Sequence, residues 1–223
     1  MRSHLVTGAG SGIGAVVART LLDRGDDVVL VARSEERADE LRASYDGAAV
    51  LVADLAWPES VESLALPSAL DSVVHAAGTV ELGGVAELTV DDWATQLRVN
   101  LVAPAALTRV ALPALRAARG TVVFVNSGAG LTAHPGWSAY AASKHGLRAL
   151  ADSLRGEEPD VRVSTVYPGR TATPMQEKVH AQEGKEYDAA AWIRPETVAD
   201  AIVRLIDLPR DATVPDLTVR PAG

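Results

Sequence analysis

A tyrosine and a lysine stand four residues apart in the segment Tyr140-Ala-Ala-Ser-Lys144. Residues at positions i and i+4 of a helix share one face, so the phenol and the ammonium are expected to converge on one point. A free tyrosine has a pKa of about 10, and a nearby positive charge stabilises its phenolate. The pair therefore predicts a general acid/base. The alternative is a surface Tyr and Lys on a solvated helix face.

Two further polar residues stand where predicted elements end. Ser127 follows the apolar strand expected over residues 122–125, and α/β sheets bind their ligands at such strand ends. Asn100 is expected at the end of a helix. Taken alone, each residue is typical of a cap or a turn, so a functional interpretation depends on their combination with the tyrosine and the lysine.

A glycine-rich segment, Thr7-Gly8-Ala9-Gly10-Ser11-Gly12-Ile13-Gly14, joins the first predicted strand to the first predicted helix. Glycines let the backbone turn sharply and approach a phosphate closely, and the helix N-terminus that follows offers free N–H groups. The segment lacks the Gly-Lys-Ser/Thr ending of a nucleoside-triphosphate loop, which disfavours kinase or ATPase chemistry. It therefore indicates a dinucleotide phosphate site, with a tight turn of no function as the alternative.

The elements that must position these residues alternate between short apolar runs and longer amphipathic stretches. Strands are expected at 5–6, 28–31, 50–52, 73–74, 122–125, 161–166 and 217–219, and helices at 13–24, 35–44, 58–64, 91–98, 104–119, 138–155 and 195–207. Nearly continuous β-branched runs are typical of parallel strands covered on both faces. The alternation predicts an α/β fold, a doubly wound, Rossmann-type three-layer sandwich whose central parallel sheet has about seven strands.

The whole chain, residues 1–223, is expected to form a single domain. Its polar segment 169–192 shows no strand pattern, and a segment of that length inside a compact domain is usually functional. We therefore expect a substrate loop or lid at about residues 170–192. The candidate pocket residues, for which loop packing is the alternative, are His134, Trp137, Met175, Tyr187 and Trp192.

Composition and charge exclude several classes of function. The net charge of −8 disfavours binding to nucleic acid or to an anionic membrane surface. The chain has no cysteine, which rules out disulfides and thiol catalysis, and its five histidines show no metal-ligand spacing. Neither a signal peptide nor a membrane-spanning run is evident. We expect a cytoplasmic protein without a metal.

Together the motifs resemble the short-chain dehydrogenase/reductase family, whose pattern the chain follows in order from residue 3 to residue 208. Ser127 precedes Tyr140 by the 13 residues typical of that family. The other matching positions are the glycine pattern, Ala76-Ala77-Gly78, Asn100, Lys144, Pro168-Gly169, Thr171 and Thr173. His75 departs from the pattern, because the family often has an asparagine there, and this puts one stabilising hydrogen bond in doubt.

The resemblance implies hydride transfer between a nicotinamide and a carbonyl or alcohol carbon of a small substrate. Tyr140 would act as general acid/base and Ser127 would hold the substrate oxygen. Lys144 would also bind the nicotinamide ribose, and Asn100 would hold a water linking Lys144 to solvent. The expected cofactor contacts are Gly8, Ser11, Gly12, Ile13, Gly14, Arg33, Asp54, Leu55, Ala76, Ala77, Gly78, Asn100, Tyr140, Lys144, Pro168, Gly169, Thr171 and Thr173.

The end of the second predicted strand indicates which nicotinamide cofactor is used. Dinucleotide folds that bind NAD place an acidic residue there to receive the ribose hydroxyl. In this chain the strand ends in Ala32-Arg33, which leaves no carboxylate to repel a 2′-phosphate and supplies a guanidinium suited to one. The cofactor is therefore predicted to be NADP (NADPH), with an ordinary surface arginine as the alternative.

Two other functions remain open for the same fold. A non-catalytic nucleotide-sensing regulator is disfavoured because such proteins often lose the Tyr or the Lys. An epimerase or lyase with a tightly held cofactor usually has a larger substrate domain than this chain provides. Helices 104–119 and 139–154 are rich in alanine and other apolar residues, and the resemblance implies that they pack against symmetry mates in a homodimer or homotetramer.

Overall fold

In the computed structural model, which describes residues 1–222, strands and α-helices alternate along the chain. The strands are β1 (Ser3–Thr7), β2 (Asp27–Ala32), β3 (Ala49–Val52), β4 (Ser72–His75), β5 (Thr121–Val125), β6 (Arg162–Pro168) and β7 (Asp216–Val219). The helices are α1 (Gly12–Asp23), α2 (Glu35–Ser44), α3 (Val90–Leu97), α4 (Ala103–Ala118), α5 (Ser138–Glu157), α6 (Pro174–Gln182) and α7 (Pro195–Asp207).

The seven strands form one parallel sheet in the order β3-β2-β1-β4-β5-β6-β7. The predicted fold class, a doubly wound α/β sandwich, is therefore confirmed. The strand order reverses between β1 and β4, because the chain first adds strands on one side of β1 and then on the other. In such sheets the crevice outside the carboxyl ends of the strands at this switch point is the place where ligands bind.

Alternate residues of each strand enter the cores on opposite faces of the sheet. Val28 and Leu30 of β2 join the core formed with α1, α2 and α7, whereas Val29 and Val31 join the core formed with α4 and α5. This alternation follows from the two-residue period of a strand. Both faces are covered, which explains why the strands are apolar throughout.

Helices α3 and α4 are joined into one run by a π-helical turn, Arg98–Val102, where the sequence predicts two separate helices. Asn100 lies inside this turn, so its expected position at a helix end is wrong. The physical reason is Pro104, which has no N–H to donate to the carbonyl of Asn100 four residues earlier. The backbone widens there, and the N–H of Ala103 bonds to the carbonyl of Arg98, as in the π-bulges found at many functional sites.

By length and composition alone, this joined run, residues 90–118, could cross a membrane. Core helices of globular proteins pass the same test. In this fold Leu107, Ala111 and Leu115 are fully buried in the core on one face of the sheet, which is the environment of a core helix.

Two other expectations of secondary structure are wrong. The segment 58–64 forms a 3-10 helix, Pro58–Ser63, instead of an α-helix; its buried residues, Pro58 and Val61, are three apart, as one 3-10 turn requires. The segment 169–192 is not irregular throughout, because it contains α6. That helix is capped by the Thr173 hydroxyl, which accepts the N–H of Gln176, and it buries Val179.

Candidate active site

The turn between β1 and α1 is shaped by two close backbone approaches. Gly8 has a φ of +74°, and a Cβ there would lie 2.6 Å from the nitrogen of Ala77. A Cβ at Gly14 would lie 2.5 Å from the carbonyl oxygen of Gly8. Because only glycine fits at both positions, the turn packs tightly against the end of β4. Its exposed backbone and the N-terminus of α1 form a cradle that stabilises an anion.

The ends of β1 and β4 are tied together by the hydroxyl of Thr7. It accepts the backbone N–H groups of Ala76 at 3.2 Å and Ala77 at 3.1 Å. The next residue, Gly78, lies so close to the site that a Cβ there would be 3.3 Å from Oδ1 of Asn100 and 3.9 Å from Nζ of Lys144. The glycine segment, the Ala76–Gly78 segment and the lysine are thereby gathered at the switch point.

Ser127, Tyr140 and Lys144 line one cavity of about 490 Å³ at the carboxyl ends of β1, β4, β5 and β6. Tyr140 is 6% exposed and Lys144 is 4% exposed. The ammonium of Lys144 donates to the carbonyl oxygen of Val125 at 3.1 Å and lies 5.8 Å from the centre of the Tyr140 ring. The predicted convergence of a phenol, an ammonium and a serine hydroxyl is therefore what the fold produces.

Burial sets the protonation states of this pair. It raises the pKa of the Tyr140 phenol to about 12, with the neighbouring Ser127 hydroxyl acting in the opposite direction. It lowers the pKa of the Lys144 ammonium to about 8, because a buried charge is poorly solvated. At neutral pH Tyr140 is thus a neutral phenol able to donate a proton, and Lys144 remains a cation beside it.

Asn100 connects the loop after β4 to the helix that carries Tyr140. Its amide oxygen accepts the N–H of Thr79 at 2.8 Å, and its amide nitrogen donates to the carbonyl of Thr79 at 2.9 Å and to the hydroxyl of Ser143 at 3.0 Å. Ser143 in turn donates to the carbonyl of Tyr140 at 2.7 Å. The Asn100 side chain is therefore held in place by hydrogen bonds and has a structural role, and it does not line the cavity.

A profile of the short chain dehydrogenase family matches residues 2–184. The chain belongs to this family. An uncharacterized short-chain type dehydrogenase/reductase of Sinorhizobium fredii is 31% identical over 226 residues, which cover 98% of this chain and 91% of the relative. The members of the family are oxidoreductases that bind a nicotinamide cofactor.

Solved structures of the family superpose over nearly the whole of this short-chain dehydrogenase. An alcohol dehydrogenase from the archaeon Thermococcus sibiricus, complexed with 5-hydroxy-NADP, has a TM-score of 0.86 and 27% identity, covering 100% of this chain and 97% of the other. A 4-hydroxyisoleucine dehydrogenase complexed with NADH has a TM-score of 0.84 and 26% identity, covering 99% and 98%. Cofactors with and without the 2′-phosphate thus occur among its structural relatives.

Most of the residues expected to contact the cofactor of this dehydrogenase line the single cavity described above. They are Gly8, Ser11, Gly12, Ile13, Ala76, Ala77, Gly78, Tyr140, Lys144, Pro168, Gly169, Thr171 and Thr173. Gly14 lies behind the turn, against Gly8. Asp54 and Leu55 lie outside the cavity, and the Asp54 carboxylate accepts the N–H of Ala56 at 2.9 Å in its own loop.

Arg33 also lies outside the cavity, exposed just after β2, while Ala32 is only 2% exposed. A second arginine, which the sequence analysis missed, lies closer to the glycine turn. Nη2 of Arg37 donates to the carbonyl of Gly10 at 3.1 Å, and its Nη1 pairs with Glu40. Because the connection between Arg33 and α2 is short, the sequence could have shown that Arg37 lies near Arg33, at the start of this helix.

The chain after β6, which is expected to face the nicotinamide, is held by its own hydrogen bonds. The N–H of Gly169 donates to the carbonyl of Val219 at 2.7 Å. The hydroxyl of Thr171 donates to the carbonyl of Gly169 at 3.0 Å, and that of Thr173 to the carbonyl of Thr171 at 3.2 Å. The two threonines therefore shape this wall of the cavity as well as lining it.

The cavity is lined in part by the pocket residues that the sequence predicts. His134, Trp137 and Met175 line it. Tyr187 and Trp192 do not; they pack on the ring of His180, with ring centres 5.3 and 5.2 Å away. Lining residues that the sequence analysis did not name include Val80, Arg170, Gln176 and Val179. Arg170 directly follows the Pro168-Gly169 motif, which was the available signal.

His75, the departure from the family pattern, has its own hydrogen bond. Its Nε2 lies 2.9 Å from the hydroxyl of Thr108, and its ring stacks on Phe124 with centres 5.0 Å apart. The side chain is 3% exposed, and burial lowers its pKa to about 3. It is therefore a neutral core residue between β4 and α4.

Proposed function

We propose that this chain is an NADP(H)-dependent oxidoreductase that transfers a hydride between the nicotinamide and a carbonyl or alcohol carbon of a small substrate. The observation that carries the proposal is the joint position of Ser127, Tyr140 and Lys144 in one cavity beside the glycine turn. A sensing regulator of the same fold has no need of this intact set. Bound in the cavity, the nicotinamide would supply or accept the hydride.

Tyr140 is the general acid/base. As a neutral phenol with its pKa raised by burial, it donates a proton from its hydroxyl to the oxygen of a carbonyl that is being reduced. In the direction of alcohol oxidation it must accept that proton, and the charge of Lys144 beside it then stabilises the phenolate. Ser127 donates to the same substrate oxygen and fixes its position.

Lys144 has a second role at the nicotinamide ribose. Its ammonium is almost fully buried and donates to Val125, which leaves further N–H donors for ribose hydroxyls. Asn100 is the other member of the set. Because its side-chain amide is engaged by Thr79 and Ser143, a water in a proton path to Lys144 would be held by its backbone carbonyl.

The geometry of the glycine turn fits a dinucleotide, because a Cβ at Gly8 would fill the space where the backbone meets Ala77. We assign the pyrophosphate to this turn and the N-terminus of α1, and the adenine to the border formed by Asp54 and Leu55. The remaining contacts proposed are Gly12, Ile13, Gly14, Ala76, Ala77, Gly78, Pro168, Gly169, Thr171 and Thr173.

The preference for NADP rests on the absence of a carboxylate at the end of β2 and on the cations there. Arg33 is exposed and free to reach a 2′-phosphate, Ser11 adds a hydroxyl that caps no N–H of its own helix, and Arg37 lies over the turn. We further propose a single domain over residues 1–223 with a substrate lid at 170–192, a cytoplasmic location, and a homodimer or homotetramer that binds neither nucleic acid nor membrane.

The test is a panel of ketones, aldehydes and secondary alcohols monitored by the absorbance of NADPH. Turnover of at least one compound with NADPH or NADP⁺, and its loss in Tyr140→Phe, is the expected result. Binding of NADPH with no turnover of any compound, and no difference between the wild type and Tyr140→Phe, would instead favour the sensing regulator.

A further inference from the structure

Arg170 is a cation that lines the cavity and takes no part in the proposed chemistry. It stands at the end of β6, where the N–H of Ile193 donates to its carbonyl at 3.1 Å. The backbone position of Arg170 is thus fixed beside the nicotinamide-facing wall. Its side chain is only 30% exposed, so its charge acts in a partly desolvated setting where electrostatic interactions are strong.

Three side chains contact the guanidinium, and a fourth contacts one of them. Nη2 donates to both carboxylate oxygens of Glu183 at 2.7 and 2.9 Å, and Nη1 lies 3.4 Å from Nε2 of His180. The guanidinium carbon lies 5.4 Å from the centre of the Trp192 ring, and Lys185 donates to Glu183 at 3.1 Å. None of these four lines the cavity, whereas Arg170 does.

Glu183 does not cancel the positive charge of this group. It is shared between Arg170 and Lys185, so one carboxylate faces two cations. The hydrogen bond from Arg170 holds the pKa of Glu183 below its usual range, and Glu183 therefore stays ionised at neutral pH. The three residues together carry one net positive charge, and the guanidinium keeps N–H donors, including Nε, that contact no acceptor within residues 1–222.

The rest of the cavity wall contains no acidic side chain among the described residues. Its other basic groups are Lys144, which we assign to the cofactor ribose and Tyr140, and His134. Apolar contacts on the substrate side come from Val80, Trp137 and Val179. A small apolar body with one anionic end matches this wall, because the N–H donors that Glu183 leaves free on the guanidinium can form charge-assisted hydrogen bonds with a carboxylate.

We propose that the substrate is an oxo acid or hydroxy acid whose carboxylate is bound by Arg170. This inference rests on the proposed function. In the reductive direction the hydride from NADPH adds to the ketone carbon, the C=O bond becomes C–O–H with the proton of Tyr140, and the carboxylate is unchanged. Arg170 is a binding residue that sets specificity, and it takes no part in proton or hydride transfer.

Matched substrate pairs test the charge directly. Pyruvate, acetoacetate and levulinate carry the ketone at increasing distance from the carboxylate, and the methyl ester of each keeps the ketone without the charge. We expect kcat/KM for at least one acid to exceed that for its ester by about 10- to 100-fold, the range of a charge-assisted hydrogen bond. Esters that are reduced as well as the acids in all three pairs would overturn the proposal.

Two variants separate substrate binding from a structural role of the ion pair. Arg170→Gln and Glu183→Gln both break the contact between these residues. We expect Arg170→Gln to raise KM for the acid about 10- to 100-fold with little change for the ester, and Glu183→Gln to leave KM for the acid unchanged or lower. If the pair only fixed residues 170–192, both variants would impair acid and ester alike, and that outcome contradicts the proposal.

Binding of an unreactive ligand keeps the test independent of turnover. The NADP⁺ complex is titrated by calorimetry with butyrate and with butyramide, which differ in charge but not in size. Butyrate is expected to bind more tightly, and the difference should disappear in Arg170→Gln, whose fold is checked by circular dichroism. Equal binding of the two ligands to the wild type overturns the assignment of Arg170, whereas a protein that binds butyrate but reduces no ketone with NADPH contradicts the proposed function alone.

Discussion

The ammonium of Lys144 lies 3.1 Å from the carbonyl oxygen of Val125, and this contact joins the middle of α5 to the end of β5. Val125 is followed by Asn126, whose amide nitrogen donates to the carbonyl of Lys144 at 3.0 Å. The two reciprocal bonds fix the helix that carries Tyr140 against the end of the strand that precedes Ser127. The geometry of the acid/base pair is therefore determined by the backbone of the sheet.

The first prediction concerns Tyr140. Tyr140→Phe keeps the ring and removes the hydroxyl, so turnover should fall by at least about 100-fold, the low end for a positioned acid/base. The variant should unfold at the wild-type temperature and still bind NADPH. Tyr187→Phe, which alters a tyrosine outside the cavity, serves as the control and should retain activity. Near-normal turnover of Tyr140→Phe would refute the assignment.

The second prediction concerns Arg33. A charge-assisted hydrogen bond contributes roughly 1.5–3 kcal/mol, so the wild type should prefer NADPH to NADH by about 10- to 100-fold. Arg33→Ala should raise the Michaelis constant for NADPH with little effect on NADH. Arg42→Ala removes an exposed arginine of the following helix, α2, and should change neither.

The reversal of this preference needs a carboxylate at the surface. Ala32 is 2% exposed, so an aspartate there would be buried at a cost in stability, and Arg33→Asp is the better variant. It should favour NADH over NADPH. Equal affinity of the wild type for the two cofactors, measured by calorimetry, would contradict the assignment of Arg33 and leave the oxidoreductase assignment intact.

The third prediction concerns residues 170–192. This segment lines the cavity through Thr171, Met175 and Gln176, so a substrate should order it. Hydrogen exchange of α6 should slow when NADP⁺ and a substrate are both bound, while exchange of the neighbouring helix α7 should not change. Equal protection of α6 with and without the two ligands would count against a lid.

The fourth prediction concerns assembly. The turn before α4 exposes Val102, and the outer face of α5 exposes small residues such as Ala142 and Ala149, which favour close packing across an interface. Sedimentation should give the mass of a dimer or tetramer at micromolar concentration. Val102→Glu should weaken the assembly, and Val85→Glu, at another exposed position, should not. A monomer mass for the wild type would contradict the prediction.

The fifth prediction concerns pH. Burial lowers the pKa of His75 to about 3, from the usual histidine value of 6.5. Since the folded state holds this base neutral, its contribution to stability is fully present above the unfolded pKa and is lost as the pH falls from about 6.5 towards 3. The loss should approach about 1.4 kcal/mol per pH unit in that window.

The matched variant is His75→Asn, which removes the titrating group at the same place. Its free energy of unfolding, measured by urea titration, should depend less on pH between about 6.5 and 3 than that of the wild type. His134→Asn, which removes an exposed histidine, serves as the control variant. An identical slope for the wild type and His75→Asn would show that this histidine is protonated without cost in the folded state.

The sequence by itself determined the class of fold and most of the site. Apolar β-branched runs alternating with amphipathic stretches are sufficient to predict a parallel sheet, since both features follow from local periodicity. Likewise, the spacing from Tyr140 to Lys144 places the two on one helix face whatever the rest of the fold does. Glycines at fixed positions after the first strand indicate that the turn approaches neighbouring backbone closely, which only glycine permits.

Only the tertiary structure decided which contacts Asn100, Arg37 and Arg170 make. The π turn at Asn100 arises from a missing N–H four residues later combined with packing against Thr79 and Ser143, and no local pattern specifies such a combination. The sequence around Arg37 and Arg170 does not distinguish them from the other arginines. The fold places Arg37 in contact with the carbonyl of Gly10, and Arg170 in contact with Glu183 and Trp192. Contacts between residues distant along the chain depend on how the helices and strands pack. That packing cannot be read from the composition and residue spacing of a single sequence.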